Sequence, residues 1–240
     1  MISVVTGTLN RKEYLQKLLD NTVNSDERIE LVLVDGGSKD GTIEFIKKQN
    51  NPRIKLVEIG VRSPYPHYMN VGIQHASHDL ICQWNDDVLL CNTWQEVIDE
   101  IDDNHQAYLF NWKTGTNDSI NDSEWLKSDF PRDNGWIVIN NIDLDYPLGN
   151  ENKNELCMNY GIYRKEVFEK IGGYNISYLY YYSDAEMANR AYYAGFEFKN
   201  CLNIKVCVLP AEKRAVYYQQ DMDTYLKDLK LYQEVSPRNK

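Results

Sequence analysis

LVLVDGGSKDGT, Leu31 to Thr42, runs four apolar residues straight into an aspartate and a glycine turn. An apolar run without polar alternation suits a strand covered on both faces, as in a parallel sheet. In open parallel sheets, ligands bind beyond the carboxyl ends of the strands. A buried strand ending on Asp35 therefore puts a carboxylate where a ligand is expected. Two phosphate cradles are excluded. GGSKDG has the outer spacing of a P-loop, but Thr42 follows where Lys and Ser or Thr are required. No GxGxxG follows the first strand. Asp35 and Asp40 also suit turn-shaping and helix-capping. For Asp40 that is the expected role; for Asp35 both roles stay open.

On either side of this stretch, strand and helix patterns alternate. Strands are expected at Ile2 to Val5, Ile29 to Val34, Ile54 to Ile59, Leu80 to Trp84 and Ala107 to Trp112. Helices are expected at Lys12 to Asn21, Thr42 to Gln49, Pro66 to Ala76 and Trp94 to Ile101. In the first helix Tyr14, Leu15, Leu18 and Leu19 share a face. Such alternation means parallel βαβ units. From Lys113 to about Glu155, rich in Asn, Asp, Ser and Gly, loops and short strands are expected. Order returns with a strand-like Leu156 to Tyr163 and a helix over Lys165 to Ile171. A helix over Asp184 to Ala194, a strand over Ile204 to Leu209 and an amphipathic helix over Tyr225 to Val235 follow.

The chain has 240 residues and a net charge of -10. A basic footprint for nucleic-acid backbones is therefore absent. Five cysteines, an odd number, show no CxxC and no zinc spacing, so reduced thiols and a cytoplasmic location are expected. Met1 leads directly into ISVVT, so no secretory leader is expected. No apolar run is long enough to span a bilayer, so no transmembrane segment is expected. His75 and His78 could share a helix face, but with no third ligand nearby a surface role is expected.

Three polar signals follow strands: TGTLN after ISVV, DGGSKDG after LVLV, and NDD after LICQW. If those strands are neighbours, Thr8, Asp35, Asp86 and Asp87 line one crevice. Adjacent carboxylates repel unless a cation sits between them. Oxygen-only ligands select a hard ion such as Mg²⁺ or Mn²⁺.

ISVVTGTLNR, LVLVDGGSKDGT, YMNVGIQHASHDLICQWNDD and YSDAEMANRAYYAG come in this order along the chain. Together they resemble the family-2 glycosyltransferases, inverting enzymes of the GT-A fold. The resemblance spans Ile2 to Leu209. It implies an α/β fold with a mostly parallel, Rossmann-like central sheet flanked by helices and a smaller acceptor-side sheet region. It implies one domain over 1–240, with a nucleotide-sugar-binding half at 1–112, an acceptor-binding half at 113–210 and a helical tail at 211–240. Its activity would be transfer of a sugar from a nucleotide-sugar donor, expected to be a UDP-sugar, to an acceptor hydroxyl on a glycan or glycoconjugate.

By the same resemblance, Thr8, Asn10 and Asp35 would hold base and ribose. Asn70 and Gly72 would lie near the diphosphate. Asp86 would meet ribose or metal, Asp87 would bind the metal (Mn²⁺ or Mg²⁺), and Asp184 would be the catalytic base. Leu9, Gly36 and Met69 depart from the family pattern. Leu9 stands where an aromatic residue often stacks on the base, Gly36 where a second Asp often sits, and Met69 where an Arg often precedes the asparagine.

Independently, Ser183-x-x-Glu186 has the form of a capping box, which would aim Asp184 from a helix start. The tyrosines of ISYLYYYSD suit sugar rings as well as packing. Trp112, Trp125 and Trp136 could line the same pocket, but core packing is the expected role. Two other readings stay open: a catalytically silent carbohydrate- or nucleotide-binding protein of this fold, and a sugar-phosphate nucleotidyltransferase. TGTLNRK is too poor in glycine for the latter.

Overall fold

The computed structural model describes residues 1–128, 130, 158, 160–209 and 218–235. Strand β1 (Ile2–Thr8) lies between β2 (Ile29–Asp35) and β4 (Leu80–Gln83) and runs parallel to both. β3 (Ile54–Glu58) extends the parallel set beyond β2. On the far side of β4 the sheet becomes mixed. β7 (Gly161–Arg164) is antiparallel to β4 and to β6 (Ala107–Thr114), and β6 is parallel to β8 (Phe198–Val208). A short β5 (Val88–Leu90) closes the order β3-β2-β1-β4-β7-β6-β8-β5.

All seven residues of β2 are buried, because its two faces meet two different cores. Leu31 and Leu33 join one cluster with Leu15, Leu18 and Leu19 of α1 (Lys12–Asn21). Val32 joins the other, with Met69 and Ile73 of α3 (Tyr65–His75). Each such buried side chain contributes about 1.5–3 kcal/mol relative to exposure. Helix α3 crosses β1 closely: a Cβ at Gly72 would stand 2.3 Å from Val5 Cγ1. At the opposite end of the strands, the buried Glu30 accepts hydrogen bonds from Ser3 Oγ, Ser77 N–H and Ser77 Oγ, and pairs with Lys55 at 2.7 Å.

Helix α2 spans Thr42–Lys48, α4 Trp94–Asp99 and α6 Lys165–Ile171. The described part of 113–155 carries a 3₁₀ turn at Ser119–Asn121 and a short α5 (Ser123–Lys127), where loops and short strands were expected. Asp122 caps α5 by accepting the N–H groups of Glu124 and Trp125. Trp136 and the start of the expected strand at Leu156 to Tyr163 lie outside the described residues, and the end of that strand forms β7. β8 begins six residues earlier than its apolar pattern predicts. Pairing with β6 carries the polar Lys199 and Asn200, and a bulge between Phe110 and Asn111 absorbs the break in register. Helix α7 is Ser183–Tyr193, and α8 is Tyr218–Val235, longer than expected. No described helix is long and apolar enough to cross a membrane.

Candidate active site

The carboxyl ends of β1, β2 and β4 lie side by side, because β1 pairs in parallel with both neighbours. Thr8 at the end of β1 donates from Oγ1 to Asp86 Oδ2 at 2.8 Å. Thr8, Asp86 and Asp87 therefore lie together beyond the strand ends, with Asp35 at the end of the adjacent β2. Burial and the neighbouring Asp87 charge push the Asp86 carboxyl up to about 7, against the opposing pull of Arg11 and Thr8.

Arg11 had no role assigned from the sequence. Its Nη2 stands 3.6 Å from Asp87 Oδ2 and its Nε 3.8 Å from Asp86 Oδ1. Its Nη1 is buried with no hydrogen-bond partner, and its guanidinium lies over the Tyr14 ring at 5.0 Å. The sequence offers only a basic residue after the first loop, TGTLNR, and nothing local points it at NDD.

Asp35 is fully buried. Its Oδ1 accepts the N–H groups of Gly37 and Ser38 at 2.8 Å, and its Oδ2 accepts the Ser38 hydroxyl. It shapes the glycine turn, in which Gly37 has φ +92. Asn10, itself at φ 54, ties the first loop to this turn. Its N–H donates to Ser38 Oγ and its Oδ1 accepts the Lys39 N–H. Asp40 accepts from the N–H groups of Lys12 and Thr42, the turn-shaping role expected of it, while the N-cap of α2 is Gly41 with no side-chain cap.

The departure at Gly36 has a steric cause. A Cβ there would stand 2.1 Å from the Tyr68 hydroxyl, and one at Gly7 would stand 2.7 Å from the Tyr68 ring. Tyr68 from α3 thus fills the space above both loops, and its hydroxyl accepts the Ser63 N–H at 3.1 Å. Met69 is fully buried in the core.

Asn70 turns its amide to the backbone of Tyr174, donating from Nδ2 at 2.8 Å and accepting at Oδ1 at 2.7 Å. Tyr174 in turn donates its hydroxyl to Gln83 Oε1 at the end of β4. Burial holds the phenols of Tyr65 and Tyr174 well above their usual range, and the Asp184 charge adds to the effect at both.

The expected capping box at Ser183 does not form. Helix α7 starts from Tyr182 in the left-handed region, φ 60, and Ser183 Oγ is buried without a partner. Glu186 turns instead to Arg190, at 2.9 Å and 3.1 Å. Arg190 also donates to the carbonyls of Ile171 and Gly173. Asp184 Oδ1 accepts the Ala185 N–H at 2.9 Å.

The tyrosines before Asp184 divide. Tyr178 and Tyr182 are buried against Tyr232 of α8, while Tyr180 is 53% exposed. Asp228, also on α8 and 1% exposed, accepts the N–H groups of Leu179, Tyr180 and Tyr181 at 2.7–2.9 Å. No local sequence signal marks Asp228, since an acid in an amphipathic helix reads as solvated. Trp112 packs partly buried on the core, edge-on to Tyr160, and Trp125 packs edge-on to Phe130.

Residues 3–172, more than half of the chain, match the model of glycosyl transferase family 2. The chain belongs to this family. The mannosyltransferase PcManGT from Pyrobaculum calidifontis, solved with GDP-Man and Mn²⁺, is similar over 99% of this chain and 66% of that one, with a TM-score of 0.66 at 15% identity. TarS of S. aureus, residues 1–349 with UDP-GlcNAc, is similar over 88% of this chain and 59% of that one, with a TM-score of 0.63 at 17% identity. The fold is that of these GT-A glycosyltransferases. A Methanococcus voltae dolichyl N-acetyl-alpha-D-glucosaminyl phosphate 3-beta-D-2,3-diacetamido-2,3-dideoxy-beta-D-glucuronosyltransferase is 34% identical over 85 residues, 32% of this chain and 26% of that protein. The chain thus spans about a quarter of this curated relative's length and under two thirds of the two structures.

Proposed function

We propose that this chain transfers a sugar, with inversion, from a nucleoside-diphosphate sugar to an acceptor hydroxyl on a glycan or glycoconjugate. The donor is expected to be a UDP-sugar. The observation that carries the reading is the Thr8–Asp86 contact beside Asp87, at adjacent parallel strand ends of a family-2 chain.

The residues fit a divalent ion. Asp86 and Asp87 offer only hard oxygens, their side chains are 10% and 4% exposed, and their mutual repulsion favours a bound cation. Among the described residues no cluster of three or more His, Cys, Asp or Glu is gathered for a metal. Diphosphate oxygens and water would complete the shell, as Mg²⁺ sites commonly require. The ion, once bound, neutralises charge developing on the leaving diphosphate.

The protein's own groups do the rest. Asp35 and Asn10 hold the two loops in the shape that receives base and ribose. Asn70 acts through Tyr174, fixing the wall between the diphosphate end and the acceptor side. Asp184 accepts the acceptor hydroxyl proton as the oxygen bonds to the anomeric carbon. The bond from that carbon to the phosphate oxygen breaks, and its electron pair leaves with the diphosphate.

A thermal-shift screen of UDP-, GDP- and dTDP-sugars, with and without Mn²⁺, tests this. A ligand at a hundred times its dissociation constant stabilises by about 2.7 kcal/mol. The expected result is a shift with one nucleotide class, dependent on Mn²⁺ and lost in Asp87→Ala. Undiminished donor binding in excess chelator would remove the metal assignment. Pyrophosphate-dependent cleavage of the nucleotide sugar to a nucleoside triphosphate and a sugar 1-phosphate would show a nucleotidyltransferase instead.

A further inference from the structure

We propose that Arg11 is a built-in counter-ion for the Asp86–Asp87 pair, which an incoming divalent cation displaces and which then binds the donor diphosphate. The proposal rests on the metal reading above and adds to it an internal competitor for the metal.

The geometry is that of a charge poised but not locked. Nε and Nη2 approach one carboxylate each, at 3.8 and 3.6 Å, both beyond hydrogen-bond reach. A committed arginine–carboxylate pair is shorter and commonly bidentate, as Arg28 with Asp26 shows here at 2.5 and 2.9 Å. Nη1 is buried and unsatisfied, a costly state unless a further acceptor arrives. A diphosphate bridging the metal would bring acceptor oxygens to this place.

The backbone of Arg11 is fixed, its N–H donating to Thr42 Oγ1 at 3.3 Å, so only the side chain needs to move. The Tyr14 face supports the guanidinium. Asp86 keeps its Thr8 hydrogen bond through Oδ2, while Arg11 approaches Oδ1. A carboxylate pair already partly neutralised binds a free metal ion weakly. Metal and diphosphate together satisfy all three side chains. Arg11 would thereby make metal and nucleotide entry interdependent.

The test is Mn²⁺ binding to the protein without nucleotide, read by electron paramagnetic resonance of the free ion. Removing a unit charge this close to the carboxylates should tighten Mn²⁺ at least about tenfold in Arg11→Met. Arg11→Lys, which keeps the charge, should stay within about threefold of wild type. With Mn²⁺ saturating, UDP or GDP, whichever binds wild type, should bind Arg11→Met at least about tenfold more weakly. Unchanged or weaker Mn²⁺ binding in Arg11→Met overturns the proposal, as does undiminished nucleotide binding. Arg11→Gln serves if Arg11→Met does not fold. Asp87→Ala separates the two readings. If it binds Mn²⁺ as wild type does, the metal assignment itself is wrong, and the counter-ion role falls with it. If it loses Mn²⁺ while Arg11→Met gains nothing, only the Arg11 role fails.

Discussion

Asn70 and Tyr174, 104 positions apart in the chain, exchange a reciprocal pair of hydrogen bonds between one side-chain amide and one backbone unit. Helix α3 is thereby stitched to the loop after α6. Gly173 lies so close to Asn70 Oδ1 that a Cβ would stand 2.2 Å from it. Asn70→Ala should therefore cost about 1–3 kcal/mol, the penalty for stranding a donor and an acceptor, in urea unfolding. Asn70→Asp should cost less at the N–H of Tyr174 but leave its carbonyl unpaired. A loss below about 0.5 kcal/mol for Asn70→Ala would mean that water replaces the amide freely.

Asp228 should prove to be the anchor of the segment before Asp184. Three backbone N–H groups converge on its buried carboxylate, and hydrogen bonds to a charged group contribute about 1.5–3 kcal/mol each. In Asp228→Asn the amides of Leu179, Tyr180 and Tyr181 should exchange with solvent at least about tenfold faster, since every 1.4 kcal/mol is tenfold. The amides of β1 and β2 should not change. Uniform loss of protection across both regions would show global destabilisation instead.

Glu30 makes stability depend on acid. Burial raises its pKa, but Lys55, the Ser3 hydroxyl and the Ser77 N–H and hydroxyl outweigh that and hold it below its ordinary value of 4.5. A depressed folded-state pKa means that the unfolded chain binds the proton first as pH falls. The stabilisation is thus fully present well above pH 4.5 and lost as pH drops through and below that value. Glu30→Gln should be less stable than wild type by roughly 1.5–3 kcal/mol at pH 7. The gap should narrow steadily toward pH 3 in denaturant titrations. A gap independent of pH would assign the loss to packing.

Asp184→Asn keeps size and the acceptor for the Ala185 N–H, so the fold should survive. As a lost general base it should slow transfer by at least about a hundredfold, with the donor dissociation constant nearly unchanged. Near-normal transfer would remove the base assignment. Glu186 is then a poor substitute, because both its oxygens are held by Arg190.

Local chemistry made the left part of the sheet legible. The unbroken LVLV run needs cover on both faces, and β2 has it. Apolar spacing placed Leu15, Leu18 and Leu19 on one buried face of α1. A turn residue acts within a few positions, so Asp40 is readable as the residue that shapes the turn into α2. The sequence pattern predicts a capping box at Ser183, yet the box forms at Thr93, whose Oγ1 accepts the Glu96 N–H while Glu96 accepts back at 2.7 Å. Both segments have the same S/T-x-x-E pattern. Only the packed structure separates them, because Arg190 draws Glu186 away and Tyr182 sets the entry of α7 in a left-handed turn. The juxtapositions across the sheet were likewise beyond local reading. Arg11 beside the acid pair, Tyr68 filling the space above Gly36, and Asp228 under the Tyr180 loop all join residues far apart in the chain. Periodicity and capping report interactions within one or two turns of backbone. Contacts between separate elements depend on strand order and helix placement, which the whole core determines together.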